Sequence, residues 1–347
     1  MIKLLITNSK GTFDISQLVQ TVNWSGDDQQ CSRTLEIELI SSYTDKNLPT
    51  VICELGNEVV FKLDNRTLFS GFVFERQKDT ESSIINITCY DRGIYLKRNE
   101  STYKFTNITP EAIAKRICTD FDISVGSLAA TNVPIERNFI GNSLFSIIQT
   151  AYSLASEESG KKYMIRFNGT KLEVIERKVT DETMIIAGGI NLMSASTSES
   201  ITNMVNQVAI YNSDDKLVRT EKDDAAIKSY GLMQSYLMQP DDEDVTQQAK
   251  QLLTDNGISQ KITINNLGNI ANIAGAAVVI HEPYTGLFGL FFIESDIHTW
   301  KNGQYYNKLT VSYEKIMEKQ EAVKLPNKDG KLTRKPLHRS TARGMEV

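Results

Sequence analysis

The sequence predicts an α+β protein that is mainly β, with two similar antiparallel β-units, α/β insertions and an extended C-terminal arm. Three observations carry this: short alternating strands in two blocks, an internal match between them, and a basic, proline-interrupted tail. A chain of 347 residues also exceeds what one hydrophobic core usually organises.

Residues 19–24, 34–40, 58–63, 68–75 and 83–90 are short and rich in β-branched or aromatic side chains. Turn residues such as Ser25-Gly26-Asp27 and Asp64-Asn65 divide them. Ile85, Ile87 and Cys89 alternate with Asn86, Thr88 and Tyr90, as a sheet with one buried face requires. A small sheet or barrel is expected over residues 1–96.

The period then changes. Thr109-Pro110-Glu111 offers a cap, a first-turn proline and a first-turn acid for a helix running to Phe121. Ser143 opens a second helix, with Leu144, Ile147, Ile148, Ala151, Tyr152 and Ala155 on one face and Gly160 at its end. Residues 162–167 and 171–176, joined by Asn168-Gly169, read as a hairpin. A mixed α/β domain is therefore expected over 97–200.

Strands return at 205–211, 217–220, 261–264, 277–281, 288–294 and 306–313. They define a second β domain over 201–317, with a helical insertion at about 214–258. Residues 318–347 are polar and basic, and are expected to be an extended arm.

The two β blocks match each other. GNEVVFKLDNRTLFSGFVFE, from Gly56 to Glu75, aligns without a gap to GAAVVIHEPYTGLFGLFFIE, from Gly275 to Glu294. Val59-Val60 meets Val278-Val279, Leu68-Phe69 meets Leu287-Phe288, and Phe72 meets Phe291. Upstream the likeness weakens: residues 34–37 resemble 261–264, and residues 19–24 resemble 205–210. Strand alternation alone does not supply matched glycines, Leu-Phe pairs and a terminal acid at equal spacing, so a duplication is expected. Three doubled chains around an axis would present six similar domains.

The net charge of -5 is uneven. Lys324, Lys328, Lys331, Arg334, Lys335, Arg339 and Arg343 face only Asp329 between residues 322 and 343. That segment is +6 and the remainder is therefore -11. An acidic body with a basic arm suits docking onto a partner better than coating nucleic acid. No apolar run suits a membrane span or a secretory leader, so neither is expected. Cys31, Cys53, Cys89 and Cys118 lack CxxC spacing and read as free, partly buried thiols of a protein made in a reducing cytoplasm.

GFVFERQ followed by INITCYDRGIYLKRNE, NSLFSIIQTAY with GKKYMIRFNGTKLEV, SYGLMQ, and PYTGLFGLFFIESDIHTWKNGQYYNKLTVSYE together resemble a known family. The chain is similar to baseplate hub proteins of contractile phage-type tails, the XkdQ-like and late control gene D group, over most of residues 50–315. The resemblance implies two tail-tube-like barrels per chain and a homotrimer forming a pseudo-sixfold ring. It implies a structural hub connecting the hexameric tail tube to the trimeric spike around a channel that DNA or tape-measure protein traverses. LysM-containing and wedge baseplate proteins are the implied neighbours, in a virion or a phage-tail-like bacteriocin. Larger relatives append a lysozyme or peptidase domain, and no such domain is expected after residue 317.

The residues themselves point away from catalysis. His281, His298 and His338 have no metal-ligand spacing, and His298 before Trp300 suits a packed, hydrogen-bonded role. Ser143 is not in a GxSxG elbow and suits a helix cap. Asp241, Asp242, Glu243 and Asp244 lack calcium-loop spacing and suit the start of a helix. Asp214-Asp215 and Asp223-Asp224 read as solvated faces. LFGLFFI reads as core or interface rather than membrane. No catalytic, cofactor or metal residue is therefore assigned, and the basic arm is the candidate docking element. The alternative is a glycan- or cell-wall-binding β module, which would need Trp24, Trp300, Tyr305 and Tyr306 exposed together.

Overall fold

The computed structural model describes residues 1–42, 47, 51–78, 82–177, 184–240 and 244–312. The basic arm, His338, Asp241, Asp242 and Glu243 lie outside them. The described residues form two compact units, one of 1–90 with 184–312, the other of 91–177.

In chain order the first unit opens with β1 (Ile2–Asn8), β2 (Gly11–Asp14), β3 (Val19–Asp27) and β4 (Thr34–Ile40). It continues with β5 (Glu58–Leu63), β6 (Arg66–Lys78) and β7 (Ile84–Asp91). The second unit holds α1 (Gly93–Arg98), β8 (Glu100–Ile108), α2 (Pro110–Asp120), β9 (Val125–Leu128) and β10 (Ile135–Ser143). It ends with α3 (Leu144–Ser159), β11 (Tyr163–Asn168) and β12 (Lys171–Glu176). The chain then returns to the first unit through β13 (Met184–Ala187), β14 (Leu192–Ser200), β15 (Gln207–Tyr211), β16 (Leu217–Lys222) and α4 (Asp224–Tyr230). After β17 (Gln234–Met238) and α5 (Thr246–Asp255) come β18 (Ser259–Leu267), β19 (Ala277–Glu282), β20 (Leu287–Lys301) and β21 (Gln304–Ser312). The protein is mainly β, as its sequence predicts.

Within the second unit the sequence signals act as expected. Ser143 caps α3, its hydroxyl accepting from Ser146 N at 3.1 Å, and Gly160 ends the helix in the left-handed region at φ 70°. The apolar face of α3 is buried, and Tyr152 donates from its hydroxyl to Ala129 O at 3.0 Å. Asn168 and Gly169 turn β11 into β12, while β9 adds parallel to β12.

The first unit contains a 13-stranded sheet whose main path is β14-β18-β21-β20-β3-β4-β7-β6-β5-β1-β2, with β13 and β19 extending from β20. Its halves repeat one order. β1-β5-β6-β7-β4-β3 in the first half corresponds to β13-β19-β20-β21-β18-β14 in the second. One pairing differs in sense: β1 lies antiparallel to β5, whereas β13 lies parallel to β19. Each half has its own apolar core, one around Leu4, Leu35, Ile37, Phe61 and Ile87, the other around Ile262, Ile264, Phe291, Leu309 and Val311. No closed barrel is found among the described residues; the halves are continuous through β3 and β20.

This order refines the sequence match. Leu35 and Ile37 correspond to Ile262 and Ile264, all buried, as aligned. The place of β3, however, is taken by β14: it pairs with β18 as β3 pairs with β4. Residues 205–210, which alternate like β3, belong instead to a separate sheet of order β16-β15-β17 packed on α5. Periodicity misleads here because β14, LMSASTSES, is an edge strand with few apolar positions. Thus β13 and β14, from the stretch expected to be α/β, join the second half of the large sheet.

The gapless match also slips by one residue along β6 and β20. Gly56 N donates to Val73 O and Val73 N to Asn57 O; in the second half Gly275 N donates to Ile293 O and Ile293 N to Ala276 O. Val73 therefore corresponds to Ile293, not Phe292. The β19–β20 turn is two residues longer than Asp64-Asn65, and a bulge at Leu68 recovers one of them.

Gly71 in β6 sits where an added Cβ would strike the carbonyl of Tyr90. Gly71→Ala should lower stability by about 1–3 kcal/mol through this backbone clash, read as a fall in the urea midpoint.

Candidate functional site

The feature that organises the first unit is the seam where β3 meets the second half of β20. Seven residue pairs run antiparallel, from Asp27 opposite Ser295 to Thr21 opposite Lys301. Asp28 N extends the ladder to Glu294 O at 2.9 Å, and Thr299 Oγ1 donates to Asn23 Oδ1 at 2.8 Å. β20 first carries β19 along residues 287–292, then β3 along 295–301. An irregularity between Ile293 and Ser295 changes the phase of burial, so Phe291 and Ile293 face inward before it and Asp296, His298 and Trp300 after it.

The phase change places charge in the core. Asp296 and His298 are fully buried, yet the Asp296 carboxylate has four polar contacts from three residues. Both guanidinium ends of Arg33 reach its carboxylate, Ala274 N donates at 2.6 Å, and His298 Nε2 lies at 3.2 Å. Arg33 also stacks over Trp24 with its Cζ 3.9 Å from the ring centroid. Burial opposes the Asp296 charge, but Arg33 and the hydrogen bonds more than offset it and hold the carboxyl below the usual carboxylate range.

His298 is neutral in this setting. Burial pushes its imidazole below the ordinary value, against the pull of Asp296. Asn307 Nδ2 donates to His298 Nδ1 at 2.8 Å, with Tyr305 Oη at 2.7 Å on the same nitrogen. The proton therefore sits on Nε2, which faces Asn272 O and Asp296. Burial likewise raises the Tyr305 phenol. An Asp–His–Tyr set suggests acid-base chemistry in outline, but with Asp296 and His298 sealed from solvent it has no substrate access. Its work is to fix the seam.

The aromatic cluster required of a glycan-binding module is used here instead. Trp24 and Trp300 are buried, and Trp300 stacks on Tyr305 at 4.3 Å and meets Phe61 edge-on at 4.9 Å. His281 contacts Phe288. Asp223 is a cap rather than merely a solvated acid, accepting from Ala225 N and Ala226 N at 3.0 Å. Asp244 accepts from the Thr246 hydroxyl and from Thr246 N at 2.9 Å and pairs with Arg219, which together draw its carboxyl down to about 2. All four cysteines are buried and none is in a disulfide; among the described residues no group of metal-ligating side chains occurs. No helix among them is long and apolar enough to cross a membrane. In the LFGLFFI segment Leu287, Phe291 and Ile293 are core residues, whereas Phe288 is exposed.

Residues 22–312, spanning both halves and the seam, match the YqbQ-like family. The chain belongs to the YqbQ-like family. It is similar to the phage-like element PBSX protein XkdQ of Bacillus subtilis (strain 168), 25% identical over 88% of this chain and 95% of that protein. Its fold is that of the prophage MuSo2 43 kDa tail protein from Shewanella oneidensis, with a TM-score of 0.67 at 13% identity over 91% of this chain and 100% of that one. An E. coli component of the type VI secretion system, itself described as similar to the T4 tail proteins gp27 and gp5, has a TM-score of 0.52 at 10% identity. That likeness covers 84% of this chain and 73% of the other. This chain is thus joined by fold to tail proteins, and all of the seam but Thr21 lies within the matched residues.

Removing one partner of the buried pair should be costly. Asp296→Asn, which removes the buried carboxylate facing Arg33, should destabilise by about 3–5 kcal/mol, while the double change Arg33→Met with Asp296→Leu should recover most of it; urea unfolding reads both. Acid should also weaken the seam. Neutral His298 contributes stability above the unfolded imidazole value of about 6.5, lost as pH falls through the lower folded value. Asp296 adds a further loss below about 4. The melting temperature should therefore drop on going from pH 7 to pH 5, and His298→Gln should flatten that drop.

Proposed function

We propose that this YqbQ-like chain is a structural, non-enzymatic hub subunit of a contractile phage-type tail baseplate. Three copies form a pseudo-sixfold ring that joins the hexameric tail tube to the trimeric spike and surrounds a central channel. The observation that carries this reading is the repeated strand order, two like half-sheets in one chain joined through β3 and β20. The similarity to XkdQ and the fold shared with tail proteins support the setting. A trimer of doubled units is a physical way to meet a sixfold tube with a threefold spike.

In this reading each half-sheet acts as one tube-like domain, and its full barrel wall is completed in the ring. Neighbours are the tube protein, the spike, the tape-measure protein and LysM-containing or wedge proteins, with DNA only passing through. The sheet β16-β15-β17 with α4 and α5 lies between β14 and β18 in the second half alone. It therefore gives the ring three outward features rather than six. The residues Lys324, Lys328, Lys331, Arg334, Lys335, Arg339 and Arg343 form an arm that docks onto an acidic surface of a neighbouring baseplate component.

Light scattering with electron microscopy of the purified chain tests the hub. A trimer with six similar lobes is expected, whereas a monomer that binds peptidoglycan overturns it. Truncation after Lys319 should reduce incorporation into particles, measured by quantitative immunoblotting of purified tails; unchanged incorporation would remove the arm's role.

A further inference from the structure

We infer that the seam inside the chain is the template for the seam between chains, with the β14 edge of one copy pairing antiparallel to the Glu75–Lys78 end of β6 in the next. Only the number of copies, three, rests on the hub reading.

The two halves show a donor edge and an acceptor edge each. β3 and β14 occupy the same place in the repeated order, and both are nine residues long. β3 is paired on both sides, with β4 and with β20. β14 is paired only with β18 and ends the sheet path among the described residues. On the acceptor side, β20 continues past β19 to receive β3. β6 likewise continues past its pairing with β5, and Glu75, Arg76, Gln77 and Lys78 are exposed there. No described strand covers that continuation on the β5 side. Among the described residues, one strand edge per chain therefore has no acceptor and one acceptor has no strand.

β14 also lacks the usual protection of an edge. LMSASTSES is long, contains no proline, lysine or arginine, and most of it is exposed. Such a strand is a template for another chain.

Register follows from the internal template. Val22 faces Ile37 as Ala195 faces Ile264, so Gly26 corresponds to Glu199 and Ser25 to Ser198. Val73 corresponds to Ile293; carrying the irregularity after Ile293 over to β6, Asp296 corresponds to Arg76 and Ile297 to Gln77. Both side chains turn toward the segment before the neighbouring strand: Asp296 accepts from Ala274 N, one residue before Gly275, and Arg76 donates to Cys53 O, three residues before Gly56. Within the chain Gly26 faces Asp296 and Ser25 faces Ile297. Between chains Glu199 then faces Arg76, and Ser198 faces Gln77. The polarity is complementary. Inside the chain Arg33 lies over Gly26 to reach the acid Asp296; between chains the acid Glu199 reaches the base Arg76. A donor edge and a different acceptor edge make a heterologous interface, which forms a ring when its rotation closes.

The test is disulfide trapping in the full chain carrying Ser198→Cys and Gln77→Cys, since the four native thiols are buried. Mild oxidation should yield covalent dimers and trimers and nothing larger. Mixing the two single variants should yield only a linked pair. Glu199→Arg should weaken association about tenfold or more, and adding Arg76→Glu should restore it. A trimer by light scattering in which the two introduced thiols form no disulfide overturns the seam while leaving the hub reading intact. Ladders beyond three chains overturn closure, and a chain that gives neither oligomer nor link overturns the seam outright.

Discussion

The first unit depends on the antiparallel pairing of β3 with the second half of β20. That pairing is what makes two half-sheets one sheet, and it is held by a buried ion pair. A buried pair adds little net stability over apolar packing, because removing two charges from water is expensive. Its value here is specificity. A slip of one residue would turn Asp296 and His298 outward and put Ile297 and Thr299 among Trp24, Arg33 and Tyr305. The bulge after Ile293 is part of the same device. Without it the second half of β20 would present the opposite face, and the Arg33 guanidinium would lose the Asp296 carboxylate.

The duplication explains why one chain can act as two similar domains, and the inequalities explain why they are not interchangeable. The first half uses β1 antiparallel to β5 and carries β2 beyond it; the second uses the short parallel β13. The first half has its edge strand covered within the chain, and the second leaves β14 at the end of the sheet. Only the second half interrupts its order with an inserted sheet and two helices. The ring proposed above would be near sixfold where the half-sheets lie and threefold where the inserts lie. That is the mixed symmetry required of a joint between unlike partners.

Much of the fold was legible in the residues. The strands β3 to β7, the helices opened by Pro110 and Ser143, and the hairpin at Asn168-Gly169 have local causes: alternation, caps and a turn pair. β1 and β2 are not among the strands expected from the sequence, and several other missed elements lack such causes. β8 and β10 carry charged and amide side chains along much of their length, and β14 has an exposed face and an exposed edge. β15 was legible as a strand but not in its sheet, since alternation reports a buried face and not which face buries it. The candidate site divides in the same way. His298 beside Trp300 suggested a packed imidazole, but nothing local linked it to Arg33, Asn272 or Asp296 as a charge cluster.

The sequence by itself determined that the chain is mainly β, that its two β blocks resemble each other, and that Gly56–Val60 and Gly275–Val279 are corresponding starts. Those properties reside in residue periodicity and spacing, which the linear chain records. Only the tertiary structure decided that β14 and not β15 repeats β3, that Val73 matches Ile293, and that β3 is seated on β20. Those are pairings between residues as far apart as Gly26 and Asp296, set by hydrogen-bond register and by where a buried charge finds its partner. No local pattern encodes either one.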